Sequence, residues 1–193
     1  MTTSRKTLLA LAAVALAQTA VLAYMVIGRV QLLKNGREIT LPIVPIDPRD
    51  LFKGEYVRLS YDISNVTAGP LAGLRLRRND LLYVVIEKKD GGPWQPVELS
   101  RSMPQQVGSD RVVIKGRSVI NTPVPSHWIG NVRFPFVRYG IENYYVPQGE
   151  GPKLEAAARD RKLAALVAVD KAGNAAIKGL IIDGKLQYEE PLF

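Results

Sequence analysis

Polar residues are almost absent from residues 8–27, "LLALAAVALAQTAVLAYMVI", where Gln18 and Thr19 are the most polar members. About 20 such residues at ~1.5 Å rise cross a ~30 Å hydrocarbon core, so the run predicts a transmembrane helix. A secretory signal is the alternative, because Ala15-Leu16-Ala17 has the small-residue form of a cleavage site behind a short apolar region. The apolar run continues past it through Val21, Leu22, Tyr24, Met25 and Ile27, which favours an uncleaved anchor in contact with the bilayer. Residues 29–38 then form a juxtamembrane segment, with a helical extension that ends near Asn35-Gly36.

From Ile39 onward the pattern turns to strands and turns. Pro42 and Pro45 make residues 39–46 an edge or an extended approach. In the following stretch Val57, Leu59, Tyr61 and Ile63 alternate with Tyr56, Arg58, Ser60 and Asp62, the period-two signature of a half-buried strand. "LLYVVIEKK" from Leu81 ends at the turn signal Asp90-Gly91-Gly92, and residues 94–99 return as its hairpin partner. Residues 111–120 form another strand with Gly116 as a candidate bulge. One or two further strands fall around Gly140. Pro152 opens a short helix through "KLEAAARDRK". Residues 163–169 and 175–182 then flank the hairpin loop "DKAGN". The fold class is mainly β: a single N-terminal transmembrane helix followed by one antiparallel barrel- or sandwich-like domain with one short helix. The expected organisation is a tail and anchor over 1–28, the juxtamembrane segment over 29–38, and an extracytoplasmic β domain over 39–193.

Composition changes this picture little. There is no cysteine, so no disulfide framework and no thiolate metal site. The net charge is +8, but the basic residues are scattered, so an anionic lipid surface fits better than nucleic acid, which is not an expected partner. Arg5 and Lys6 flank the apolar run on one side, and Arg29, Lys34 and Arg37 on the other, a near tie in basic residues. A short tail inside and an exported domain is the commoner arrangement for a lone N-terminal anchor and is the expectation here, in the inner membrane. His127 is the one histidine and sits in a proline-bounded loop beside Trp128, which leaves neither a metal site nor a serine triad in prospect. No phosphate loop and no dinucleotide fingerprint occurs, and no cofactor is expected.

Carboxylates are the remaining chemistry. Asp47, Asp50 and Glu55 crowd one turn with Arg49 and Lys53 around Gly54. Such a corner can offset its own charges, with Gly54 supplying a backbone angle other residues take at a cost. Its exposed remainder is then a binding surface rather than a catalytic one. Glu142 stands two residues from Tyr144, and on strand alternation it shares a face with Tyr144 and Val146. A carboxylate on an apolar face needs a partner, and Arg58 or Arg49 is the natural bidentate candidate. At the C-terminus, Leu192 and Phe193 are candidates for docking into the core or a partner.

"DPRDLFKGEYVRLSYDIS" resembles the motif that names the GDYXXLXY family of membrane-anchored bacterial proteins. Here the motif runs Gly54, Glu55, Tyr56, then Leu59 and Tyr61, with Glu55 where the family has aspartate. "YGIENYYVPQGEG" and "KGLIIDGKLQYEEP" are similar to later blocks of the same family. The resemblance implies an anchored architecture and a multi-pass inner-membrane protein as partner, and no reaction. A second resemblance is to signal-peptidase-type enzymes, through the proline, leucine and Gly-acid spacing of "PIDPRDLFKGEYV", with Lys115 where a lysine base falls. Pro45 stands at the nucleophile's place, and without a serine there is no acyl-enzyme. That resemblance implies a β scaffold with degenerate hydrolase chemistry, the alternative to a non-catalytic interaction module.

Overall fold

The computed structural model describes residues 2–44, 56–65, 75–88, 91–105, 108–123, 137–147 and 149–189. The charged turn carrying Asp47, Arg49, Asp50, Gly54 and Glu55, the His127 loop, and Leu192 and Phe193 lie outside the described residues.

Helix α1 spans Thr2–Asn35 and has no polar face. Leu8, Leu16, Tyr24 and Met25 are each more than half exposed. A helix that is apolar all round is at home either inside a protein core or in lipid, and the apolar stretch of α1 is not buried against the described residues. It is long and apolar enough to span a membrane. Thr19 returns its hydroxyl to the helix by donating to the Ala15 carbonyl at 2.9 Å. Only the last turns touch the β domain, where Leu33 is buried. Gly36 then donates to the Leu32 carbonyl at 2.9 Å, and strand β1 (Arg37–Pro42) begins at the next residue.

Beyond α1 the chain is built from antiparallel strands: β2 (Tyr56–Arg58), β3 (Arg75–Leu76), β4 (Leu81–Lys88), β5 (Trp94–Ser100), β6 (Arg111–Ser118), β7 (Thr122–Pro123), β8 (Val137–Arg138) and β9 (Asn143–Tyr145). Helix α2 (Gly151–Arg159) follows, then β10 (Leu163–Val169), β11 (Ala175–Ile182) and β12 (Lys185–Glu189). One four-stranded sheet has the order β1-β10-β11-β12 and the other β5-β4-β6-β8, with β2-β9 and β3-β7 as two-stranded ribbons. Leu41, Leu59, Tyr61, Ile86, Ile114, Leu154 and Leu180 belong to one apolar core shared by both sheets, the β2-β9 ribbon and α2. The antiparallel β class holds. No closed barrel forms among the described residues, because each four-stranded sheet ends on edge strands instead of returning to its first strand.

Local sequence explains most of these elements. Pro152 sits in the first turn of α2, and Leu154, Ala157 and Ala158 form its buried face. Gly173 and Gly184 take positive φ in the tight connections β10–β11 and β11–β12, where a side chain would be strained. Gly116 corrects an expectation, since β4 and β6 keep continuous register through it and there is no bulge. It is a close-approach position instead: an added Cβ would lie 2.2 Å from Val137 Cγ1, so a side chain here would force β8 to shift or repack beside β6. The register shifts fall elsewhere, between Val85 and Ile86, Leu166 and Val167, and Leu180 and Ile181. The strand expected across residues 56–63 is also shorter than its alternation. It stops after Arg58, touches β1's extension through a single bridge from Tyr61 to Ile43, and closes in a 3-10 turn at Asp62–Ser64.

Candidate functional site

The described motif residues, Tyr56, Leu59 and Tyr61, sit on β2 and the segment that follows it. Val57, Leu59, Tyr61 and Ile63 all face the core at 2% exposure or less, so the inward alternation survives where the strand does not. β2 pairs with β9, Val57 opposite Tyr144 and Arg58 opposite Asn143. The ladder continues as the Leu59 amide donates to the Glu142 carbonyl at 2.7 Å. The motif is therefore laid directly against the second family block.

Two phenols lock the blocks together. Tyr61, with no exposed surface, donates its hydroxyl to the Ile141 carbonyl at 2.7 Å. Tyr139 reciprocates, donating to the Ile63 carbonyl at 2.6 Å. Each tyrosine thus satisfies a main-chain acceptor on the other segment that would otherwise be stranded in an apolar core. Burial raises both phenol pKa values far above the ordinary range, and the nearby Glu142 charge raises them further. Both phenols are neutral donors at every physiological pH.

Glu142 is where the expectation from alternation fails. It lies at a bend before β9 begins and does not share a strand face with buried Tyr144. Its carboxylate turns back to accept the amides of Tyr139 at 2.6 Å and Gly140 at 2.9 Å. Gly140 takes φ of +82°, which brings those two N–H groups to one side. Among the described residues the partners of Glu142 are these backbone amides; Arg58 is exposed, and Arg49 lies outside the described residues. The side chain of Tyr56 is likewise outside them, though its backbone pairs with Tyr145. Tyr139 is the residue that sequence reasoning missed. Val137, Tyr139 and Ile141 share the inward parity of their segment, and that signal was available.

A second tie joins the last strand to α2. Tyr188 donates its hydroxyl to the Glu150 carboxylate, which also meets Lys153. The Tyr188 pKa is pushed up to about 12, by burial first and then by the Glu150 bond and charge. Glu150 is held below its usual range, mainly by the bond from Tyr188 and then by the Lys153 charge.

Lys115, the base of the alternative enzyme reading, is half-buried on β6. Its ammonium donates to the Asn174 side-chain carbonyl at 3.1 Å and lies 6.0 Å from the centre of the Tyr83 ring. Asn174 is in turn fixed by Asp170. Ser118 lies three residues along the same strand, hence on the opposite face, and donates its hydroxyl to the Ile120 carbonyl. Among the described residues the geometry does not set Lys115 against a serine hydroxyl. Among the described residues no three His, Asp or Glu side chains gather as a metal site.

No curated protein and no solved structure matches the chain. A family model described as "GDYXXLXY protein" matches residues 18–180, from within α1 to near the end of β11 and across both interlocked segments. By that match over most of its length, the chain belongs to the GDYXXLXY protein family.

Proposed function

We propose that this protein is a membrane-anchored interaction module. α1 stays uncleaved in the inner membrane, the β domain stands on the periplasmic side, and the module works without catalysis beside a multi-pass membrane protein. The observation that carries this reading is the apolar, exposed surface of α1 over residues 8–27, which is not buried against the described residues. Such a surface calls for lipid or another protein's apolar helices. The described part of the motif supports the same reading, because Tyr61 is committed to the lock between the β2 and β9 segments. The β12 edge is a second contact surface. It has no further strand paired to it among the described residues and exposes Leu186.

The experiment has two arms. Spheroplasts expressing the protein are treated with external protease, and the expected result is loss of the β domain with the anchor retained in the membrane. A protected domain reverses the orientation, and a soluble shortened product refutes the uncleaved anchor. Affinity purification from detergent-solubilised membranes then tests the partner. Recovery of an integral membrane protein in stoichiometric amount is expected, and recovery of the chain alone counts against the module.

A further inference from the structure

An open crevice of about 1330 Å³ lies between the last turns of α1 and the nearest rim of the β domain. One wall is a single face of the helix, where Tyr24, Gly28, Leu32 and Asn35 recur at spacings of four and three. The other wall is the rim where β1 and β6 begin and the β10–β11 loop turns. That rim is held in place by its own bonds. Arg37 donates to the Arg111 carbonyl at 2.9 Å, and its guanidinium lies 5.6 Å from the centre of the Trp94 ring. Arg111 is anchored on Glu87 at 3.0 Å.

The charge of the crevice is one-sided. Arg29, Arg37, Arg111 and Lys171 all line it, and among the described residues Asp170 is the one carboxylate that does. Asp170 is already committed, since it closes the β10–β11 loop by accepting the amides of Ala172 at 2.9 Å and Asn174 at 2.8 Å. Lys171 between them is exposed. The apolar members, Tyr24, Leu32 and Met103, share this cavity with the cations. Gly28 opens a notch in the helix wall, where an added Cβ would meet nothing within 4 Å. Glycine weakens a helix interior, and no close packing within the chain requires it here.

Depth orders these groups. With residues 8–27 in hydrocarbon, Tyr24 stands near the headgroup boundary, where amphipathic rings collect, and Arg29 stands about one turn further out. An apolar surface followed outward by cations matches an acyl chain followed by a phosphate. The volume exceeds the ~300–1,000 Å³ of an ordinary small-molecule pocket.

We propose that this crevice seats one anionic phospholipid of the surrounding leaflet, with its phosphate between Arg29, Arg37 and Lys171 and its chains leaving past Gly28 and Tyr24 into the hydrocarbon. The site rests on α1 lying in a membrane. To test it, the full-length chain is reconstituted into nanodiscs of equal phosphatidylcholine and phosphatidylglycerol, and the lipid that stays bound is identified by native mass spectrometry. Selective retention of one phosphatidylglycerol is expected. Gly28→Leu fills the notch and should abolish the preference. Arg29→Gln combined with Lys171→Gln should lower it by about fivefold for each cation removed. Thermal unfolding of each variant reports whether the β domain is intact, and if the charge pair unfolds, Gly28→Leu decides alone. Equal retention of both lipids by the parent chain overturns the proposal, and so does a Gly28→Leu chain that keeps the preference. A photo-crosslinker at Leu32 that captures a protein helix in native membranes overturns it as well. Failure to enter the nanodisc refutes the anchor itself and is distinguishable from entry without lipid preference.

Discussion

Two phenol oxygens carry the contact between segments 80 and 76 residues apart in the chain. Tyr61→Phe removes one of them and leaves the Ile141 carbonyl facing apolar side chains without a donor. The expected cost is about 1–3 kcal/mol, read as a lowered urea midpoint at unchanged slope. Tyr139→Phe should behave alike through Ile63. The double variant should cost less than the sum, because the first loss already loosens the seam that the second bond spans. The same phenols set a pH dependence. Their folded-state pKa values are raised by burial and by Glu142, so the folded state keeps protons that the unfolded chain releases above about pH 10. Their contribution to stability is fully present below that range and is lost as pH rises beyond it. Equilibrium unfolding should show this alkaline fall, and Tyr61→Phe should flatten it; an unchanged slope would refute the assignment. Tyr188 should be seen separately in ultraviolet absorbance as a phenol ionising near 12.

Among the elements, β12 depends on a residue that carries no side chain. An added Cβ at Gly179 would lie 2.1 Å from the Tyr188 carbonyl oxygen, so Gly179→Ala must push β12 away from β11. A loss of about 1–3 kcal/mol is expected for such overpacking. Amide exchange should accelerate first across β12, and the Tyr188 phenol should return toward the ordinary tyrosine value as it leaves Glu150. Had exchange accelerated evenly through the core instead, the local origin would be wrong. Strand and helix identities could be read from the chain because apolar periodicity and turn residues speak locally, as in β4, β10, β11 and α2. The shortness of β2 could not. Its alternation continues through Ile63, but a 3-10 turn at Asp62–Ser64 satisfies the same inward side chains without a ladder. Gly116 was misplaced for a related reason: a bulge and a close approach both select glycine, and only the neighbouring strand tells them apart.

At the scale of the molecule, the long apolar N-terminal helix and the β class of the rest were legible, and the connection between the Tyr61 and Tyr139 segments was legible in part. Sequence placed Glu142 in need of a partner and looked for an arginine, the obvious counter-charge. Backbone amides made available by the positive φ of Gly140 meet that need, and no side-chain inventory displays them. The joint between α1 and the β domain has a further effect. A single residue, Gly36, separates helix from strand, and an added Cβ there would stand 2.5 Å from the Leu32 carbonyl oxygen and 3.0 Å from Ala168 Cβ. A connection this short and tightly packed leaves little room to swivel, so turning α1 about its long axis is expected to swing the β domain like a crank on its shaft. Inserting alanines one at a time between Ile27 and Gly28 should therefore make recovery of the proposed membrane complex oscillate. It should be poorest near two insertions, about half a turn out of phase, and largely restored near four. A monotonic decline would mean that azimuth does not matter and only height above the bilayer does.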